Sequence, residues 1–121
     1  FIFFSRSSFG LPDAARALSK AGLSVSPSRS ALKVTCRSGP VLSVTVRHGA
    51  VVHAEAVCLP RHPAYFTAIE AATGLLRITF ADRNAVLDDA NTLIETQLTL
   101  QAATAGILYT AWNQQFSAPE P

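Results

Sequence analysis

Three stretches in the first half of the chain alternate between apolar and polar residues, a pattern typical of strands with one buried face. They cover residues 32–37, 42–47 and 51–58, and short turns that contain glycine separate them. We therefore predict a three-stranded antiparallel meander. Its inner face is expected to be apolar and its outer face polar.

The register of this meander follows from the parity of its apolar positions. If all three apolar sets share one face, the residue numbers of two opposed residues must add up to an even number, as they do for Cys36 with Leu42 and for Val46 with Val52. Three-residue loops give that parity at both turns, whereas two-residue loops would turn each apolar set to the wrong face. The polar residues of all three strands are therefore predicted to point outward together.

The rest of the chain carries the boundary signals of helices and of further strands. Proline opens and glycine closes two helical segments, which is the usual asymmetry of these residues. Asp82 or Asn84 can cap a third helix. The predicted helices span 12–22, 64–73 and a segment from 82 or 84 to about 103, and the additional strands span 1–4, 23–25, 76–80 and 107–112.

Together these elements predict a single α+β domain over residues 1–116. Its antiparallel sheet has the three-stranded meander at its centre, and two or three helices pack on one face. Residues 117–121 are predicted to form a flexible C-terminal tail. A length of 121 residues with 49% hydrophobic residues fits one domain with its own core.

Charge is divided unevenly along the chain. Up to Arg61 there are eight basic and two acidic residues, whereas two basic and six acidic residues follow it, for a net charge of +2. Charged residues make up only 15% of the chain, against roughly 25% in typical globular proteins. The uneven charge favours electrostatic recognition, and the low charged fraction indicates apolar surface that a partner or a homo-oligomer would cover. A tightly packed monomer is the alternative.

The outer face of the predicted meander gathers the basic residues Lys33, Arg37, Arg47 and His53, with Glu55 as its one acid. We predict that these four residues bind a protein partner with an acidic surface, because complementary charge steers association and sets register. The alternative is an ordinary solvated sheet face, since any one-sided antiparallel sheet exposes polar residues.

The third predicted helix contains two amides in an apolar stripe. Helical spacing places Leu93, Ile94 and Leu98 on one broad face, and Gln97 and Gln101 fall near its centre. Buried amides need hydrogen-bond partners. They could bond to backbone within the fold, or they could face a ligand or another copy of the chain.

A pocket between the sheet and the helices is therefore a second candidate site. We predict that Gln97 and Gln101 line it together with Tyr65 or Tyr109. This candidate corresponds to a small-ligand binder or a minor enzyme.

Metal and catalytic sites are not predicted, and neither is a cofactor. His48, His53, Glu55, Cys58 and His62 are close in sequence, but the predicted strand and turn positions point them in different directions. The chain contains no P-loop, GxGxxG, GxSxG or HExxH motif.

The composition also bears on other partners and on location. The basic residues are scattered and not interleaved with aromatic ones, which argues against nucleic-acid binding. No apolar run approaches the roughly 20 residues of a membrane span, so a membrane partner is not expected and the cytoplasm is the favoured location.

The predicted function is that of a non-enzymatic protein-binding module. The order helix, three-stranded meander, helix, strand and helix resembles that of the class I secretion chaperones, with no shared motif. Those chaperones are usually acidic, and the final predicted strand departs from their order. The resemblance implies a chaperone-like role, and an immunity-type role fits the same surface.

Overall fold

The computed structural model describes residues 1–5, 8–35, 41–88 and 90–119. The elements along the chain are β1 (Ile2–Phe4), α1 (Leu11–Lys20), β2 (Ser24–Pro27), β3 (Leu32–Thr35), β4 (Val41–His48), α2 (Ala50–Ala56), α3 (Phe66–Glu70), β5 (Gly74–Phe80), α4 (Arg83–Asp88), α5 (Ala90–Thr104), β6 (Ile107–Thr110) and β7 (Gln115–Ser117). The strands form one seven-stranded sheet in the spatial order β2-β3-β4-β5-β1-β6-β7. Each neighbouring pair is antiparallel, so the predicted α+β class with an antiparallel sheet is confirmed.

Helix α1 forms where the boundary residues predicted it. Pro12 lies in the first turn, where a missing N–H leaves no intrahelical bond unmade. The Asp13 carboxylate accepts the backbone N–H of Gly10 at 2.9 Å and places negative charge at the positive end of the helix dipole. After the helix ends, Gly22 adopts a φ of 88°, a conformation that glycine reaches without strain.

The larger hydrophobic core lies between one face of the sheet and helices α1, α4 and α5. Val34, Val44 and Leu76 come from the three adjacent strands β3, β4 and β5, and they are fully buried. They belong to one cluster with Leu18 of α1 and Leu100 of α5. This is the apolar inner face that the alternating pattern predicted.

A second, smaller core lies on the opposite face of the sheet, under α2 and α3. Phe3 and Leu75 are paired across β1 and β5. Phe3 stands between Ile2 and Phe4, and Leu75 precedes Leu76, all three residues of the larger core, so Phe3 and Leu75 point to the other side. They form one cluster with Val52 of α2 and Ile69 of α3. Helices therefore contact both faces, and the predicted placement of the helices on one face is not confirmed.

The first two strands of the predicted meander are present as β3 and β4. Leu32 lies opposite Val44, and Val34 lies opposite Leu42. The number sums are even, so the apolar residues of both strands share one face as predicted. The predicted register is wrong, however, because Leu42 pairs with Val34 rather than with Cys36, and Thr35 pairs with Val41, so five residues connect the strands instead of the predicted three. Those five residues, Cys36 among them, lie outside the described residues.

The predicted third strand of the meander is wrong, because the segment 51–58 contains helix α2. Gly49 has a φ of 84°, which turns the chain away from β4, and three alanines in α2 favour helix over strand. The neighbour of β4 is instead β5, and Val46 pairs with Leu76 rather than with Val52.

The third predicted helix is present as α4 and α5, but its buried side differs from the predicted one. Ile94 is 48% exposed and Leu98 is 52% exposed, although both were expected on the buried face. Thr96 and Thr104 are buried instead, and their hydroxyls donate to the carbonyls four residues earlier at 2.8 Å. The local hydrogen bonds satisfy these hydroxyls and so remove the penalty of burying them.

The sheet ends in a strand that the sequence pattern did not predict. β7 pairs with β6, with Phe116 opposite Tyr109 and Ser117 opposite Leu108. The flexible tail over 117–121 begins at the last residue of β7 and stays a prediction. Within the described part of the chain, no helix is long and apolar enough to cross a membrane.

Candidate functional site

One side of β3, β4 and β5 carries polar residues and faces away from α1 and α5. Its alternating positions form what we call the basic sheet face, which consists of Lys33, Ser43, Thr45, Arg47, Arg77 and Thr79. The three basic residues and Thr79 are exposed, and Ser43 and Thr45 are half-buried. The predicted polar outer face therefore exists, and it extends onto β5.

The strand register fixes the spacing of these side chains. Lys33 lies opposite Ser43, and its Nζ donates to the Ser43 hydroxyl at 3.3 Å. Thr45 lies opposite Arg77, which makes Arg47 and Arg77 diagonal neighbours about 7–8 Å apart. The two arginines thus form a close cationic pair, with Lys33 further along the same face.

Among the described residues, the cations of the basic sheet face form no ion pair. No carboxylate in these ranges lies within 4 Å of Lys33, Arg47 or Arg77. Glu55 of α2 lines the same groove as the two arginines, a groove of about 340 Å³, but it forms no ion pair with either. In the described part of the chain, the face therefore carries three cationic side chains without an ion-pair partner.

Arg77 is also held in place by Phe1, the residue before β1. Its guanidinium carbon lies 5.3 Å from the centre of the Phe1 ring, within the range of a cation–π contact. The Phe1 nitrogen donates to the Tyr109 carbonyl at 2.9 Å, which ties this end of the chain to β6.

Two of the four predicted contact residues, Lys33 and Arg47, lie on the basic sheet face. Arg37 lies outside the described residues. The placement of His53 on this face was wrong because its segment is a helix. His53 lies on α2 and lines a different pocket, together with Arg61 and His62.

Arg77 was missed as a member of the face, although a signal for it was present. Leu76, Ile78 and Phe80 alternate in the sequence, and this pattern predicted the strand; the same alternation places Arg77 on the side opposite to these apolar residues. Residues 51–58 were predicted to pair with β4, whereas β5 is the strand that pairs with it. That error put His53, rather than Arg77, opposite Thr45.

The residues of the predicted second site are divided between several places. Gln97 and Tyr109 line a pocket of about 250 Å³ between α5 and the ends of β5 and β6, together with Trp112. Gln101 is buried and donates to the carbonyls of Gly106 at 3.1 Å and Ser117 at 2.8 Å. It thereby joins α5 to β7 and corresponds to the alternative in which the amide bonds within the fold.

Tyr65 lies at a distance from the Gln97 pocket, on the side of the sheet covered by α2 and α3. Its ring stacks on Phe116 with 5.9 Å between centroids, and the His62 ring lies 4.8 Å away. Phe116 also contacts Tyr109, at 4.7 Å. These contacts give Tyr65 a packing role.

The histidines do not converge on a metal site. Among the residues that the structure describes, no three His, Cys, Asp or Glu side chains come together so that they could hold a metal ion. His48 bonds to the carbonyl of Phe9 at 2.9 Å, and the Cys58 thiol is exposed and donates to the Ala54 carbonyl.

Comparisons with protein-family models, with curated proteins and with solved structures found no match to this chain. The function is therefore argued from the geometry of the site alone.

Proposed function

We propose that this protein is a non-enzymatic protein-binding module that docks an acidic surface of a partner on the basic sheet face. The observation that carries the proposal is the open face on which Lys33, Arg47 and Arg77 stand, with no carboxylate within 4 Å of any of them among the described residues. Immunity and secretion-chaperone roles are of this type, because both depend on recognition of one protein by another.

The arrangement suits electrostatic docking in two respects. The cations stand on paired strands, so little backbone freedom is lost when a partner binds. The hydroxyls of Ser43, Thr45 and Thr79 lie between them and can form neutral hydrogen bonds that help to fix the register of the complex. Unpaired charge of one sign also speeds encounter with a partner of opposite charge.

Reversing the arginine pair should weaken association without unfolding the protein. For the double variant Arg47→Glu and Arg77→Glu, we expect the association rate constant for the partner to fall at least about tenfold at low salt. The parent protein should associate faster at low salt than at high salt, because ions screen the attraction. In the variant this salt dependence should disappear, because the attraction itself has been removed. Surface plasmon resonance with a partner isolated from the native host measures both quantities.

A control variant with the same change in net charge separates the effect of losing the arginine pair from the effect of net charge alone. Lys20 on α1 and Arg83 on α4 are exposed and lie on the helices that cover the other face. The variant Lys20→Glu and Arg83→Glu should leave the association rate within about threefold of the parent. Equal losses in both double variants would contradict the docking surface proposed above.

A second candidate function is a small-ligand binder or minor enzyme. It is favoured by the pocket of about 250 Å³ that Gln97, Tyr109 and Trp112 line, because the half-buried Gln97 contributes an amide to a largely aromatic and apolar lining. A ligand with a polar group could use that amide. A thermal-shift screen in which a small metabolite raises the Tm would favour this function over the first.

Self-association is compatible with either function. Leu87, Ile94 and Leu98 are exposed at helical spacing on α4 and α5, and they give the low-charge surface an apolar stripe. The proposed homo-oligomer would cover this stripe and leave the basic sheet face free.

A further inference from the structure

The two short helices over the second core enclose a pocket of about 150 Å³. It is lined by His53 and Ala56 of α2 with Val57 at the C-terminal cap of that helix, and by Phe66, Ile69 and Glu70 of α3. Each set has the spacing i, i+3, i+4, which places its members on one face of a helix. The two faces therefore oppose each other across the pocket, and the chain between the helices closes one end.

One part of the pocket lining is apolar. Ile69 is 7% exposed and belongs to the second core, and Leu59 and Ala56 pack against the same cluster. A cavity of about 150 Å³ is large enough for one six-membered ring. The rest of the lining is polar and is formed by His53, Arg61, His62 and Glu70, so the pocket suits a small ring that carries a polar group.

A positioned cation stands at the wall of this pocket. The guanidinium carbon of Arg61 lies 4.4 Å from the centre of the Phe66 ring, which holds the charge against an apolar surface. Over the described ranges, no carboxylate lies within 4 Å of Arg61. The fork of N–H donors in arginine matches a carboxylate in geometry and binds it through two parallel hydrogen bonds.

The neighbouring groups further restrict the ligand. His62 Nδ1 accepts the backbone N–H of Ala64 at 3.2 Å, so the ring proton of neutral His62 is on Nε2, where it is a second donor. The His53 imidazole is exposed at the α2 wall, and the Glu70 carboxylate lies on the α3 wall. Glu70 repels any anion, and Arg61 is the one permanently charged cation among the lining residues, so a single ligand carboxylate paired with Arg61 is favoured over a dianion.

We propose that this pocket binds a small aromatic carboxylic acid as its monoanion, with the ring against Ala56, Leu59 and Ile69 and the carboxylate on Arg61. The site is separate from the basic sheet face and does not depend on the proposed protein-docking function. None of its polar residues was assigned to a small-molecule site from the sequence, because Arg61 and His62 lie between two helices whose packing the sequence did not predict.

Benzoate is a suitable probe, added to the full chain and followed by ¹⁵N-resolved NMR and by calorimetry. We expect saturable shifts confined to residues 53–70. Arg61→Gln should weaken binding about tenfold or more, because it removes a charge-assisted hydrogen-bond pair. Arg61→Lys should lose less affinity, since it keeps the charge without the fork.

Two controls make the result specific. Arg83→Gln removes the charge of an exposed arginine on α4, and it should leave benzoate affinity unchanged. Benzyl alcohol has the same ring without the charge and should bind at least about tenfold more weakly. The proposal is overturned if the shifts do not saturate, if they fall on residues 33–47, or if Arg61→Gln, in a sample with the parent Tm, binds benzoate as well as the parent does.

Discussion

Gly106→Ala should strongly destabilise the fold. A Cβ at this position would lie 2.7 Å from the backbone oxygen of Phe3 and 2.6 Å from the Cγ2 atom of Ile2. Because the backbone oxygen belongs to β1 in the middle of the sheet, the strand itself must move to relieve the clash. We expect a loss of about 3 kcal/mol in the free energy of unfolding, at the upper end of typical overpacking effects. Urea unfolding followed by circular dichroism measures it.

Gly10→Ala is the control for this substitution. A Cβ at Gly10 would meet Pro12 at 3.7 Å, which is an ordinary van der Waals contact, and Gly10 has an extended backbone conformation. We expect a loss below about 1 kcal/mol, from the less favourable helix cap alone. A Gly106→Ala protein as stable as Gly10→Ala would contradict the close approach of β1 and β6.

Leu100→Ala and Leu98→Ala should differ sharply, although the two leucines are two positions apart in α5. Leu100 is fully buried in the larger core, and its truncation should cost about 2–5 kcal/mol of unfolding free energy. Leu98 is 52% exposed, and its truncation should change stability by about 0.5 kcal/mol or less. Thermal and urea unfolding of both variants test the orientation of the helix.

The comparison discriminates between two orientations of α5 because the sequence pattern alone placed Leu98 on the buried side. If Leu98→Ala were the more damaging variant, the helix would face the core with its other side and Thr96 would be exposed. The pair uses the same chemical change in the same helix, so helix propensity contributes equally to both.

The fold could be predicted from the sequence where apolar and polar residues alternate strictly, as they do in β3 and β4. The strict alternation of Leu32, Val34, Leu42 and Val44 predicted two strands and their parity, and both are confirmed. The segment 51–58 was ambiguous, since its apolar residues fit a strand and its alanines fit a helix. Burial in the second core decided it in favour of the helix.

The orientation of α5 could not be predicted because both sides of the helix carry apolar residues. The buried side uses Thr96 and Thr104, whose hydroxyls are satisfied by their own helix. Residue type alone ranks such threonines as surface residues, whereas Ile94 and Leu98 rank as core residues. Only the packing against the sheet resolves that choice.

The sequence predicted those residues of the basic sheet face whose position depends on local alternation, but not the one whose position depends on the order of the strands. Lys33 and Arg47 follow from the parity of β3 and β4 alone, and both are on the basic sheet face. Arg77 depends on which strand lies next to β4, a long-range pairing that no local pattern encodes. His53 was misplaced for the same reason.

The most direct test of the proposed docking surface is photo-crosslinking to a partner isolated from the native host. A photoreactive amino acid replaces Thr79, which is exposed on the basic sheet face, or Ala102, which is exposed on α5 on the opposite side. We expect a covalent adduct with the partner from position 79 and none from position 102. Adducts from position 102 alone, with partner binding retained in both proteins, would contradict it.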